Sequence, residues 1–253
     1  MIEGVAKRQK GREVARAKSS AERLRAMYDR LVALWGAQQW WPANSAFEVV
    51  IGACLTQNTA WKSVERSIAN LKERGALSVE GLRAIPEDEL RQLIRPSGFM
   101  LRKAAALKAF VAFLDGRYGG RMEKVHDAAL RDAHGVRAEL LELPGVGPET
   151  ADAILLYALQ APAMVVDEYL RRVTTRHGLV PAKAKYAEVQ SLAEQAFAPE
   201  QEREDAAHLA QHYNEFHALM VQVGKLHCGR VARCDGCPLE YDLREHGLPH
   251  PAA

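Results

Sequence analysis

The feature that most constrains the fold is a Leu-Pro-Gly-Val-Gly string at residues 143–147, which lies between two helical patterns. Glycine lets the backbone turn tightly and approach a ligand closely, because it has no Cβ atom. The unpaired amides at the start of the second helix favour an anion such as a DNA phosphate. The string therefore predicts two helices joined by a tight turn that clamps a phosphate independently of base sequence. The alternative is an ordinary tight helical hairpin without a ligand.

Helical periodicity continues through the rest of the chain. A nearly all-apolar segment at 47–55 predicts a central, buried helix, and single helices are predicted at about 149–159 and 202–224. Proline and glycine punctuate the helical segments, and no segment alternates in the way a strand does. We predict an all-α fold with two helical lobes.

Charge and composition restrict the class of protein. The chain has 253 residues and is 48% hydrophobic, which suits a soluble globular protein with one large or two intimate domains. The tail at 1–18 carries six basic and two acidic residues. It is either an arm that attracts a phosphate backbone or a solvated, disordered segment. No apolar signal-peptide core and no run of about 18 apolar residues occurs, so we expect a cytoplasmic protein.

A second motif follows about twenty residues after the hairpin string. Asp167 comes directly after an apolar run and at a predicted helix start, where an aspartate alone would indicate an N-cap. Together, the two motifs resemble the helix-hairpin-helix, loop and aspartate of the endonuclease III-like DNA glycosylases of the HhH-GPD superfamily. The resemblance covers residues 22–243.

This resemblance implies an architecture. A six-helix barrel lobe that carries the hairpin would span residues 36–160. Residues 19–35 and 161–253 would form the second lobe, which ends in a cysteine-rich loop. DNA would cross the groove between the lobes, with the target nucleotide flipped into it.

The resemblance also implies the chemistry. Asp167 matches the family's catalytic aspartate, which stabilises positive charge on the sugar as the N-glycosidic bond breaks and can orient or deprotonate water. Bifunctional relatives carry a Schiff-base lysine two residues after the second hairpin glycine. Here that position is Glu149, and a carboxylate cannot form an imine, so we predict a monofunctional glycosylase. We also predict that Glu149 is a second catalytic residue that faces Asp167. One of the two pKa values would then be raised, which leaves one carboxyl group protonated to act as an acid and the other charged. Alternatively, Glu149 only starts its helix favourably.

Several residues match DNA-contacting positions of the family. Gly145 and Gly147 form the phosphate clamp. Gln57 matches a glutamine that fills the gap left by the flipped base, although a helix cap is the alternative. Phe99 and Lys103 fall in a segment that resembles the second DNA-facing turn, with Phe99 or Met100 as an apolar wedge.

Three tryptophans suggest a base pocket. Trp40 and Trp41, together with Trp61, resemble the 3-methyladenine-excising branch of the superfamily, in which an aromatic side chain at the place of Trp61 stacks on the flipped base. An electron-poor, alkylated purine gains from an aromatic face, as in a cation–π contact. For Trp40 or Trp41, core packing is the alternative.

Three cysteines lie close together near the C-terminus. Cys228, Cys234 and Cys237 resemble the family's iron–sulfur loop, but the fourth cysteine is replaced by Leu243. We predict a [4Fe–4S] cluster in a structural role, with Asp242 as the fourth ligand. The alternatives are a histidine ligand, His246 or His227, or a loop that has lost its cluster.

The function predicted is base excision from DNA by a monomeric N-glycosylase. The glutamate and the aromatic residues favour an alkylated purine as the substrate, whereas the overall resemblance favours an oxidised pyrimidine. Two other functions remain open. One is an abasic-site lyase that uses another amine, with Lys62 and Lys103 as candidates. The other is a non-catalytic DNA-binding protein.

Overall fold

The computed structural model describes residues 18–38, 40, 43 and 45–251. The predicted basic tail, apart from Lys18, and Trp41 therefore lie outside the described residues. The described part confirms the all-α prediction, because it contains helices and, instead of strands, one isolated bridge between Cys228 and Ala232. None of its helices is long and apolar enough to cross a membrane.

One group of helices surrounds the predicted central helix, α2 (Ala46–Thr56). Its other helices are α3 (Trp61–Glu73), α4 (Val79–Ala84), α5 (Glu87–Leu93), α6 (Met100–Tyr118), α7 (Met122–Arg131), α8 (Ala133–Leu141) and α9 (Pro148–Ala153). A 3₁₀ turn (Arg95–Ser97) precedes α6, and a π-helical turn (Ile154–Ala158) follows α9. Every residue of the predicted central helix from Phe47 to Leu55 is buried except Glu48. Helix α2 contacts α3, α6, α9 and the π-helical turn, and so forms the centre of this group.

The second group combines the first helix with the C-terminal ones. Its members are α1 (Ser20–Trp35), α10 (Glu168–Arg176), α11 (Tyr186–Ala196), α12 (Ala198–Arg203), α13 (Ala206–Leu226) and α14 (Glu240–Glu245). Helix α13 packs against α1, α10 and α12, and also against the π-helical turn of the first group. Because the contacts divide in this way, we propose the lobes at 36–160 and at 19–35 plus 161–253 for the folded protein.

Two predicted helices are interrupted. The segment predicted as one helix at 149–159 ends as α9 at Ala153 and continues as the π-helical turn. The segment predicted at 202–224 breaks at Glu204, whose backbone is extended, and Asp205 starts α13 as its N-cap by accepting the amides of Ala207 and His208. Capping competes with helix continuation because a short acidic side chain satisfies the amides that a helix start leaves unpaired.

A buried carboxylate joins the two groups. Asp152 on α9 is fully buried and accepts hydrogen bonds from Arg137 (2.5 and 3.0 Å), Tyr186 (2.7 Å) and Gln190 (2.8 Å). Tyr186 and Gln190 belong to α11, whereas Arg137 belongs to α8. The Tyr186 hydroxyl oxygen also accepts the amide of Val166 at 3.2 Å. Because charge-assisted bonds are the stronger kind, this network fixes the backbone directly before the candidate catalytic aspartate.

Candidate active site

Asp167 lies at the start of α10, where the two groups of helices meet. Its Oδ1 atom accepts the Leu170 amide at 2.8 Å, which is the N-cap bond expected from the sequence. The side chain is 13% exposed, and its Oδ2 atom lies 3.5 Å from Nε2 of His217. One carboxylate oxygen therefore holds the helix start, while the other has no partner closer than His217 among the described residues.

The histidine beside Asp167 was not predicted from the sequence. His217 lies in the middle of α13, is 6% exposed, and its Nδ1 atom is hydrogen-bonded to the hydroxyl of Tyr157 in the π-helical turn. Its Nε2 atom is buried and has no hydrogen-bond partner among the described residues. A polar residue inside the apolar run of α13 was the signal that sequence reasoning overlooked.

Glu149 occupies the first turn of α9, across from Asp167. Part of its side chain is exposed. Protein atoms packed around the carboxyl group nevertheless withdraw it from water and raise its pKa, and the negative charge of Asp167 raises the pKa further. The two carboxyl groups thus lie close enough to influence each other, as the sequence led us to expect.

Three turns form one surface beside this pair. The Gln57 amide group donates to the Gly145 carbonyl (2.8 Å) and to Thr150 Oγ1 (2.9 Å), which joins the end of α2 to the hairpin. The Thr59 hydroxyl donates to the Ser97 carbonyl at 2.8 Å, which joins the same turn to the one before α6. The structure therefore brings together the predicted DNA-contacting segments around residues 57, 97–99 and 145, which we call the three-turn surface.

The structure does not support a direct DNA contact for Lys103. This lysine is 4% exposed, and its Nζ atom donates to Leu55 O (2.7 Å), Thr59 Oγ1 (2.6 Å) and Ser97 O (2.8 Å). All three protons of the ammonium group are used inside the protein, so no proton is left for a phosphate. Burial lowers the pKa of Lys103. Its role is to hold the three-turn surface together from behind, and the same bonds argue against it as the Schiff-base amine. The other amine candidate, Lys62, is exposed on α3.

The outer side of the three-turn surface is open. Phe99 is 62% exposed, and it lines one open pocket together with Arg102 and Gln57. Phe99 and Asn58 both adopt left-handed backbone conformations, with φ of 46° and 49°. Such strain in residues other than glycine concentrates at functional sites. Arg102 is the cation that this surface presents, and it was not predicted from the sequence.

The two hairpin glycines differ in what surrounds them. Gly145 has φ of +79°, and a Cβ atom there would lie 3.3 Å from the Cβ of Ala106. Gly147 has φ of −100° and nothing within 4 Å of such an atom. The fold therefore requires glycine at 145, whereas at 147 it leaves space in front of the α9 amides.

The aromatic candidates are described only in part. Trp61 is the first residue of α3 and is half-buried against the core. Trp40 is also half-buried, and Lys225 Nζ lies 5.2 Å from the centre of its ring. Because Trp41 lies outside the described residues, a base pocket built from the three tryptophans stays a prediction.

The three clustered cysteines line one small pocket between α13 and α14. Burial raises the pKa of the Cys237 thiol to about 11 and also raises that of Cys234. Arg176 approaches the cavity and donates a hydrogen bond of 3.2 Å to Cys228 Sγ. In the described residues, no group of three or more His, Cys, Asp or Glu side chains is arranged to hold a single metal ion.

The geometry argues against Asp242 as the fourth ligand. Its carboxylate accepts two hydrogen bonds from Arg23 (2.9 and 2.6 Å) and one from His177 (2.8 Å), and the residue is 1% exposed. Burial alone would raise the pKa of Asp242, but these bonds outweigh burial and lower it to about 2. Among the residues that line the cavity, Leu243 presents only carbon, whereas His227 and Glu240 carry donor atoms.

Comparison with known proteins agrees with this geometry. Residues 51–199 match the HhH-GPD superfamily of base excision DNA repair proteins. The chain is 42% identical over 214 residues to MJ1434 of Methanocaldococcus jannaschii, which its name proposes to be a DNA repair glycosylase, and the match covers 85% of this chain and 92% of that protein.

Two solved structures share the fold. One is the H. pylori 3-methyladenine DNA glycosylase MagIII bound to 1,N6-ethenoadenine, with a TM-score of 0.68 and 29% identity over 82% of this chain and 98% of that one. The other is a non-covalent endonuclease III–DNA complex, with a TM-score of 0.72 and 25% identity over 90% and 96%. These matches confirm the family and DNA as the partner. The chain therefore belongs to the HhH-GPD superfamily of base excision DNA repair proteins and is an endonuclease III-like DNA glycosylase.

Proposed function

We propose that this glycosylase is monofunctional and releases alkylated purines by water attack, acting as a monomer on DNA in the cytoplasm. The observation that carries the proposal is Glu149, which occupies the position at which bifunctional relatives have the reactive amine. Burial and the negative charge of Asp167 raise the pKa of this carboxyl group. No imine can form on a carboxylate, so the site is suited to water as the nucleophile.

Asp167 would act on the sugar. As the bond between C1′ and the base nitrogen breaks, the electron pair leaves with the base, and positive charge develops on the sugar ring. The Asp167 carboxylate stabilises this charge and accepts a proton from the water whose oxygen bonds to C1′. The products are a free base and an intact abasic site, because no step breaks the DNA backbone.

The chemistry of the leaving group favours an alkylated purine. A purine methylated at N3 or N7 carries a positive charge in DNA and leaves as a neutral base without an added proton. Half-buried Trp61 supplies an aromatic face, and such faces attract cationic rings. The similarity to MagIII, a 3-methyladenine DNA glycosylase, supports the same class. An oxidised pyrimidine is the second candidate, because the similarity to endonuclease III favours it.

A panel of duplexes tests this proposal. Each duplex carries one lesion, 7-methylguanine, 1,N6-ethenoadenine or an oxidised pyrimidine, and is analysed with and without alkali. We expect free base to be released from the alkylated purines, and strands that break only after alkali. Strand breaks without alkali, or a protein–DNA adduct trapped by borohydride, would overturn the monofunctional assignment. Glu149→Lys is the matched control, because it restores an amine at this position and should permit trapping.

We propose that DNA lies across the three-turn surface, with Gly147 at the phosphate and Phe99 as the wedge. Gly147 offers a sharper test than Gly145, because a side chain at 147 meets nothing in the protein. We expect Gly147→Val to weaken binding to all duplexes about tenfold, since phosphate contacts carry no sequence information. Unchanged binding, measured by fluorescence anisotropy at fixed salt, would contradict the assignment.

We also propose a [4Fe–4S] cluster in the cavity between α13 and α14. Cys228, Cys234 and Cys237 would hold it, with His227 or Glu240 as the fourth ligand, because both line the cavity. The cluster would have a structural role in this loop, which Arg176 of α10 contacts through hydrogen bonds to Cys228 Sγ and to the carbonyls of Gly229 and Arg230. Anaerobically purified protein should contain iron and acid-labile sulfide. Protein without either would favour a loop that has lost its cluster.

A further inference from the structure

We propose that His217 and Tyr157 form a positioning pair that aims and holds the carboxylate of Asp167. The inference rests on the proposed function, because it assigns a role behind the same aspartate. It begins from an anomaly in the core, a nine-tenths buried imidazole whose Nε2 atom points at Asp167 from 3.5 Å and has no hydrogen-bond partner in the described part of the chain.

An unpaired buried nitrogen costs folding free energy. The residues around position 217 on α13 are apolar and buried, including Phe216, Ala218 and Leu219. A leucine would fill such a position without any polar group to satisfy. The chain instead keeps an imidazole with one nitrogen bonded and the other directed at a carboxylate, which indicates a role for that nitrogen beyond packing.

Tyr157 supports the tautomer of His217 that suits Asp167. An Nε2–H group facing Oδ2 of Asp167 is attractive, whereas a bare lone pair there would repel the carboxylate, so the carboxylate favours the ring proton on Nε2. In that tautomer Nδ1 is the acceptor, and the Tyr157 hydroxyl donates to it. Burial, together with the nearby charge of Asp167, raises the pKa of Tyr157 well above its usual value, which keeps this donor protonated. The tyrosine therefore stabilises the useful tautomer.

The π-helical turn places Tyr157 for this role. One extra residue per turn changes the direction in which a side chain leaves the helix, and such turns are often found at functional sites. Here the turn covers Ile154–Ala158, follows α9 directly and contacts α13. Glu149 in α9 and Tyr157 in the π-helical turn thus belong to consecutive elements, and the charge of Asp167 acts on both side chains.

The single hydrogen bond at Oδ1 of Asp167 explains why a second donor, at Oδ2, is useful. Oδ1 is held by the Leu170 amide, but that single bond lets the carboxylate rotate about its own axis. A donor at Oδ2 fixes the rotation and favours the charged form of the group. Catalytic hydrogen bonds are often long in a free enzyme and shorten when substrate is bound, so 3.5 Å suits a contact that tightens during the reaction.

Three ionisable groups face His217 from the elements packed around it: Asp167 on α10, Tyr157 in the π-helical turn and Glu149 on α9. On α13 itself, Glu215 lies two residues earlier and binds the Gln38 amide and Gln211 instead. Removal of His217 therefore acts chiefly on the two carboxyl groups of the site.

Three variants test the pair on methylated duplex DNA under single-turnover conditions. His217→Leu removes the donor, His217→Gln retains an N–H group at similar reach, and Tyr157→Phe removes only the hydroxyl that stabilises the tautomer. We expect His217→Leu to lower the rate of base release by about 10- to 100-fold, which is the loss typical when a residue that orients a metal-binding side chain through a hydrogen bond is removed. The Gln variant should recover most of this loss, and Tyr157→Phe should fall between them. DNA affinity should be unchanged throughout.

The pH profile provides a second readout that a packing defect would not move. Loss of a donor raises the pKa of a carboxylate, so the acid limb of the His217→Leu profile should shift to higher pH, while that of His217→Gln should not. Rates within threefold of the unmodified protein in both His217→Leu and Tyr157→Phe would overturn the proposal. Equal losses in His217→Leu and His217→Gln, with no shift of the acid limb, would also overturn it, because packing alone would explain them.

Asp167→Asn separates this inference from the proposed function. If Asp167→Asn stays active, the catalytic assignment itself fails. If it is inactive while the His217 variants behave as the unmodified protein, only the positioning pair fails.

Discussion

Two aspartates, each beside a buried histidine, behave in opposite ways in this protein. Asp242 accepts three short hydrogen bonds from Arg23 and His177, with both carboxylate oxygens occupied. Asp167 has one oxygen in a helix cap and the other 3.5 Å from His217. Asp242 lies beside the cysteine cavity, and Asp167 lies where the two groups of helices meet.

The difference teaches how to separate a structural carboxylate from a chemical one. A carboxylate whose two oxygens both accept short hydrogen bonds inside the protein is held in place by them, and these bonds stabilise the fold. Asp167 differs because its Oδ2 atom has only a distant partner, His217 at 3.5 Å. It also lies near a second carboxyl group and a surface open to DNA, so it retains the capacity to act on a substrate. Lys103 is likewise a structural residue, because its ammonium group donates all three of its protons in hydrogen bonds inside the protein.

The largest expected effect is the loss of base release in Asp167→Asn. The amide cannot carry the negative charge, so we expect the single-turnover rate to fall about 1,000-fold. Asparagine remains a good N-cap, so the free energy of unfolding should change by less than about 1 kcal/mol. DNA binding should persist, because the three-turn surface is untouched. A large loss of stability would mean that Asp167 resembles Asp242 after all.

Asp242→Ala should show the reverse pattern. Removal of one partner from a buried ion pair leaves the Arg23 charge uncompensated, and we expect a loss of about 3 kcal/mol in the free energy of unfolding. Thermal melting monitored by circular dichroism measures this loss. At a temperature where the variant is folded, base release should stay within about threefold. A variant of full stability that cannot retain iron would instead restore Asp242 as a cluster ligand.

Acid titration sharpens the same contrast. Because the pKa of Asp242 is about 2 in the folded protein and 3.8 in an unperturbed side chain, its charged form stabilises the fold. This contribution is fully present above about pH 4, falls as the pH drops toward 2, and amounts to about 2 kcal/mol. The difference in the free energy of unfolding between the unmodified protein and Asp242→Asn, measured with urea, should therefore be smaller at pH 3 than at pH 7. A constant difference would show that charge is not involved.

The smallest expected effect concerns Glu149→Gln. A raised pKa favours the protonated, uncharged form of Glu149, which glutamine imitates. Release of 7-methylguanine should stay within about threefold, because this cationic base needs no added proton to leave. A neutral base such as 1,N6-ethenoadenine should be affected more strongly. Equal losses for both bases would assign Glu149 a role that does not depend on the leaving group.

Local motifs carried most of what the sequence could predict. The hairpin string, Asp167 and the all-α pattern depend on neighbours within a few residues, so their spacing indicates their structure. His217 lies fifty residues after Asp167, and only the packing of α10 and α13 brings the two together. Lys103 and Asp242 were assigned to ligands because sequence shows a charge but not the internal partners that already occupy it. The direction of Tyr157 depends on a π-helical turn, which periodicity of 3.6 residues cannot reveal.

The buried Asp152 network has a mechanical consequence. The Val166 amide donates to the hydroxyl oxygen of Tyr186, and this hydroxyl donates to Asp152 in the first group of helices, where Arg137 also binds Asp152. Any hinge motion between the two groups must stretch this chain of bonds before it can displace the loop that carries Asp167. Opening of the groove and the orientation of the Asp167 carboxylate are thus mechanically coupled. Loss of a hydrogen bond in this network would misorient the carboxylate in a protein that is otherwise fully folded.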